Sequence, residues 1–108
     1  MAVARLDGSA IIDWDSFHTA CEKEFGFPGF YGRNGNAWID CMSYIDEDNG
    51  MTRFALQPAE SLLIEVSDSD GLRRRAPEIL EELIELTAAV NERFVESEGR
   101  PKLELSLL

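Results

Sequence analysis

Gly29-Phe30-Tyr31-Gly32-Arg33-Asn34-Gly35-Asn36-Ala37-Trp38-Ile39-Asp40-Cys41-Met42 is the stretch on which the reading of this chain turns. It opens as a glycine- and aromatic-rich loop and closes as an amphipathic helix. Asn34 suits the N-cap, because its side chain can accept a hydrogen bond from an orphan amide of the first turn. The helix is expected from Asn34 to about Ile45. At about 100° per residue, Trp38, Cys41, Met42 and Ile45 share one face, and Asn36, Asp40, Ser43 and Glu47 share the opposite one. Ile39 falls at the edge of the polar face. Two readings of it stand: part of a contact surface, or one of the single exposed apolar residues common on any protein.

Outward from this stretch, Ala2 to Leu6 reads as a short strand ended by the turn Asp7-Gly8. Asp13 caps a helix in which Trp14, Phe17, Cys21 and Phe25 form a buried face. Gly26 ends that helix, and Phe27-Pro28-Gly29 turns the chain into the motif. Downstream, Asp46 to Gly50 opens a surface loop. Met51 to Ala59 gives the weakest pattern, with a short edge strand expected about Phe54 and Leu56. Leu62 to Val66 is nearly continuous in apolar residues, which suits a parallel strand covered on both sides. Asp68 to Gly71 reads as a turn and Leu72 to Arg75 as a short helix. Pro77 opens the longest helix, with its stripe of Ile79, Leu83, Leu86, Val90 and Phe94. Gly99 and Pro101 end it, and Leu103, Leu105 and Leu107 alternate as a last strand. Strands separated by helices favour a small α/β fold with a mostly parallel sheet.

The 108 residues suit a single domain, 1–108. No apolar run approaches the roughly 20 residues of a membrane span, and the first residues lack the apolar core of a signal peptide, so a cytoplasmic location is expected. The net charge is −11, from 21 acids against 10 bases. Such a surface repels nucleic acid and anionic membrane and attracts basic partners, although acidity also serves solubility. Cys21 and Cys41 fall on apolar helix faces and are expected to be buried, reduced thiols.

No catalytic or metal site assembles from the residues. His18 and Cys21 are neighbours on one helix, but Cys21 lies among Phe17 and Phe25, so a packed thiol beside an exposed His18 is expected rather than a dyad. Asp46-x-Asp48 and Asp68-x-Asp70 resemble the start of a calcium loop, but the sixth positions are Met51 and Arg73 where glycine is needed. One histidine and two separated cysteines give no zinc spacing. No cofactor motif is present, and Arg73-Arg74-Arg75 is expected to pair with Glu78 and other acids or to be solvated.

The motif stretch also resembles the signature of the barstar family, small acidic inhibitors of secreted ribonucleases. Phe30, Tyr31, Gly32, Asn34, Ala37, Asp40 and Cys41 match it, and Met42 is a mild variant. Elsewhere the resemblance is one of element order. It implies a three-stranded parallel sheet with about four helices. It also implies a non-enzymatic inhibitor of a ribonuclease, an immunity protein, whose acidic helix and aromatic loop cover the active-site cleft. Asp40 would enter the enzyme's phosphate site, Phe30 and Tyr31 would pack at the substrate entrance, and Asn34, Asn36, Ile39 and Ser43 would line the contact face. Two positions depart from the family pattern. Asn36 stands where the family carries a second carboxylate, and Ile39 where it can carry tryptophan. A rival reading is a binding module of the same design for a basic partner that is not a nuclease.

Overall fold

The computed structural model describes residues 2–108. Its strands are β1 (Ala2–Asp7), β2 (Leu62–Ser67) and β3 (Leu103–Leu107), and its α-helices are α1 (Trp14–Phe25), α2 (Gly35–Met42), α3 (Ser69–Arg75) and α4 (Pro77–Glu98). A 3-10 turn, Gly8–Ala10, follows β1. The strands form one parallel sheet in the order β1-β2-β3, with Ala4 opposite Ile64 and Ile64 opposite Leu105. The fold is therefore the expected α/β arrangement: a three-stranded parallel sheet with four α-helices among the described residues.

Local rules explain most of the boundaries. Asp13 accepts from Ser16 N–H, and Ser16 Oγ accepts from Asp13 N–H, a reciprocal capping box that starts α1. Gly26 stops α1 in the left-handed region at φ 69°, where a Cβ would be strained and would also meet Arg53. Gly99 does the same for α4 at φ 81°. Pro77 lies in the first turn of α4, where its missing N–H costs nothing.

Ala4, Leu6, Leu62, Ile64, Val66 and Leu103 line one face of the sheet and join the core. Phe17, Cys21 and Phe25 of α1, Trp38, Cys41 and Met42 of α2, and the α4 stripe from Ile79 to Phe94 pack onto it. The other face carries Arg5, Glu65 and Ser106 in one row, with an Arg5–Glu65 ion pair of 3.1 Å between register partners. The expectation that β2 is covered on both sides is thus corrected. Its alternate residues Leu63 and Glu65 are only half-buried.

Other expectations are also corrected. Trp14 is 43% exposed, its ring meeting the edge of Phe17, because it sits in the first turn of α1. His18, expected to be exposed, is buried. Residues 68–71 are mostly helix rather than turn, since α3 begins at Ser69. Helix α2 ends at Met42, three residues short of Ile45, and continues as turns. Phe54 and Leu56 are buried but form no strand. Arg53 N–H bonds Phe25 O and Leu56 N–H bonds Ile45 O, so these amides tie the segment to the end of α1 and to the turns that follow α2 instead of to a strand. Arg73 and Arg75 pair with Asp70 and Asp68, and Arg75 also donates to Gly8 O; Glu78 takes no part.

Candidate functional site

The loop between α1 and α2 is held by buried and charged anchors on α1. Arg33 adopts φ 54°, a left-handed conformation that costs a side-chain-bearing residue about 1–2 kcal/mol. Its guanidinium offsets this cost with four contacts on α1. Nη1 donates to Glu22 Oε1 at 2.9 Å, and Nη2 to Asp15 O at 2.8 Å, Asp15 Oδ1 at 2.9 Å and Thr19 Oγ1 at 2.9 Å. The Tyr31 ring packs on Phe27, with centroids 4.6 Å apart, and its hydroxyl shares a 2.7 Å hydrogen bond with His18 Nδ1. Asn34 caps α2 by accepting from Ala37 N–H at 2.8 Å.

These anchors leave Phe30 projecting, 75% exposed, at the loop's apex. Phe30, Tyr31, Gly32, Ala37, Asp40, Cys41 and Met51 line one shallow cleft of about 170 Å³. The structure therefore brings Phe30, Tyr31 and Asp40 together. Tyr31 is otherwise a buried residue, which leaves Phe30 as the aromatic presented to solvent. Asn36 is exposed on the same helix, while Ile39 is half-buried and packs against the core. Asn34 lies apart, in a second cleft of about 450 Å³ with Trp14, Asp15, His18, Arg33, Gly35 and Glu82.

Asp40 is exposed but not alone. Arg93 of α4 approaches it, Nη1 to Oδ1, at 3.3 Å. The same nitrogen donates to Ser43 Oγ at 3.1 Å, and Ser43 donates to Ile39 O at 2.6 Å. Sequence reasoning missed Arg93, which lies 53 residues from Asp40 and carries no local signal. It also missed Met51 in the cleft and His18 beneath the loop.

Burial sets the protonation of the groups under this surface. It pushes the Cys21 thiol up to about 12, and it raises Cys41, with the Asp40 carboxylate adding to the effect. Burial likewise raises the Tyr31 phenol. It lowers His18, helped by the Arg33 charge and opposed by Asp15. Both cysteines are free and buried. Among the described residues, no group of three or more His, Cys, Asp or Glu side chains is placed to hold a metal ion, and no helix is long and apolar enough to cross a membrane.

The arrangement thus presents a carboxylate and an aromatic ring side by side at one cleft. Among curated proteins, none matches the chain. The family model described as Barstar (barnase inhibitor) matches residues 1–106, nearly the whole length, and the members of that family are inhibitors rather than enzymes. With its motif, its parallel sheet and this match in agreement, the chain belongs to the barstar family.

Proposed function

We propose that this protein is a single-domain inhibitor of a basic ribonuclease and acts as a cytoplasmic immunity protein against a secreted or toxin enzyme. A ribonuclease holds phosphate in a cationic cleft. A carboxylate can stand in for that phosphate while the surrounding surface excludes RNA. Asp40 takes the phosphate position, Phe30 covers the substrate entrance, with Tyr31 beneath it, and Asn34, Asn36, Ile39 and Ser43 border the contact. The observation that carries this reading is the placement of Asp40, exposed on α2 and sharing a cleft with the exposed Phe30.

The test is a titration of barnase, the enzyme in the family's description, with the parent and with Asp40→Ala. The parent should abolish RNA cleavage at stoichiometric amounts. In the complex the carboxylate is desolvated against cations, and its removal leaves them buried without a counter-charge. A loss of at least ~2 kcal/mol in binding is expected, the hot-spot threshold. That expectation follows the family, since an aspartate of barstar is itself an extreme known hot spot. The fold should lose at most about 1 kcal/mol, because an exposed pair such as Asp40–Arg93 is worth no more. Normal melting with undiminished binding by Asp40→Ala would remove α2 from the inhibitory surface.

A further inference from the structure

Helix α2 carries one charged side chain, Asp40, and α4 carries one cation, Arg93, among seven glutamates. These two lone charges meet. Arg93 Nη1 lies 3.3 Å from Asp40 Oδ1 and donates to Ser43 Oγ at 3.1 Å, so the guanidinium bridges Asp40 and Ser43 on the polar side of α2. Asn36, which could have added a second negative charge, is neutral. The result is a face whose one carboxylate is already matched inside the free protein.

A guanidinium in this position does to Asp40 what a partner's cation would do. It neutralises the carboxylate and takes one of its oxygens. We propose that Arg93 is a built-in competitor for Asp40, an internal ion pair that a basic partner must break before the carboxylate can enter its cleft. Arg93 thereby sets a threshold: weakly cationic surfaces do not displace it, and a converging cluster of cations does. Both side chains are more than half exposed, so the pair opens readily and the threshold is low. The proposal rests on the inhibitor reading for the identity of the partner, but not for the masking itself.

The experiment is a double-mutant cycle of Arg93→Gln and Asp40→Asn, with two probes. One is barnase, followed by stopped-flow association and by dissociation. The other is a hexa-arginine peptide, followed by amide chemical shifts of residues 35–43. Arg93→Gln should tighten binding of both probes a few-fold, up to about fivefold, the range that exposed ion pairs reach. In the Asp40→Asn background the gain should vanish. Unchanged or weaker binding by Arg93→Gln overturns the proposal. So does a gain that persists without the Asp40 carboxylate, since that would be a general effect of net charge. If the peptide responds as expected while barnase binds neither parent nor variant, masking stands and the inhibitor reading fails for that enzyme. Thermal melts of each variant verify that the fold is intact.

Discussion

His18 and Tyr31 are the residues through which burial reaches the candidate surface. Their hydrogen bond, 2.7 Å and out of solvent, ties the loop carrying Phe30 to α1. Tyr31→Phe leaves a buried imidazole nitrogen without its partner. Such an unsatisfied group costs about 1–3 kcal/mol, so urea denaturation should show a loss of that size. A loss below a few tenths would mean that the bond does not hold the loop. His18 also gives the fold a pH dependence. Burial and Arg33 lower its folded pKa below the ordinary 6.5, while the facing Asp15 opposes them only in part. The unfolded chain therefore binds the proton more readily than the folded one. The stability this neutral imidazole contributes is complete above about pH 6.5 and is lost as pH falls through the depressed folded value. Stability measured across that window should decline in the parent and stay flatter in His18→Gln. Equal slopes would show that His18 is protonated alike in both states.

At the scale of elements, the junction of α4 with β3 closes the fold. β3 is an edge strand, and an edge leaves backbone groups without ladder partners. Asn91 of α4 supplies some of them. Its Oδ1 accepts from Lys102 N–H at 3.1 Å and Leu103 N–H at 2.9 Å, and its Nδ2 donates to Leu103 O at 3.0 Å. The side-chain amide thus stands in for a neighbouring strand at the start of β3. Beside it the Lys102 stem is buried, with its ammonium 3.5 Å from Glu98 and 5.5 Å from the Phe94 ring centroid. Asn91→Ala removes three hydrogen bonds at once from part-buried backbone. A loss of about 1–3 kcal/mol is expected, with faster amide hydrogen exchange at Lys102 and Leu103. Unchanged exchange at those two amides would show that β3 is held by β2 alone. The opposite edge is treated similarly, for Glu24 Oε2 accepts from Arg5 N–H of β1 at 2.6 Å.

Over the whole molecule the charge of −11 is unevenly placed. The α2 face contributes little to it, because Asp40 is matched by Arg93. Much of the excess lies on α4, in Glu78, Glu81, Glu82, Glu85, Glu92, Glu96 and Glu98. Under the proposed function, long-range attraction of a basic partner would come from the body of the protein, and local recognition from the cleft beside Phe30. Association with barnase should exceed the ~10⁵–10⁶ M⁻¹s⁻¹ of unsteered pairs at low salt and slow as salt is added, behaviour for which the barnase–barstar pair is itself a reference example. Stopped-flow rates that stay flat with salt would separate the net charge from the binding event.

What the sequence determined by itself was whatever short-range rules govern. Asp13 and Asn34 as N-caps, Gly26 and Gly99 as helix ends, and the buried faces of α1, α2 and α4 all depend on neighbours within about four residues. The order of elements was legible for the same reason, and the motif around Asp40 through its resemblance to the barstar signature. Tertiary structure alone decided which distant groups meet. Tyr31 finds His18 across 13 residues, Arg33 finds Asp15 across 18, and Arg93 finds Asp40 across 53. It also decided that Phe54 and Leu56, which alternate as a strand would, are buried without one, because their segment is tied to the end of α1 and to the turns after α2. Periodicity reports which residues turn away from water. It does not report what they turn toward, since packing of α1, α2 and α4 against the sheet sets those partners, and no local pattern encodes them.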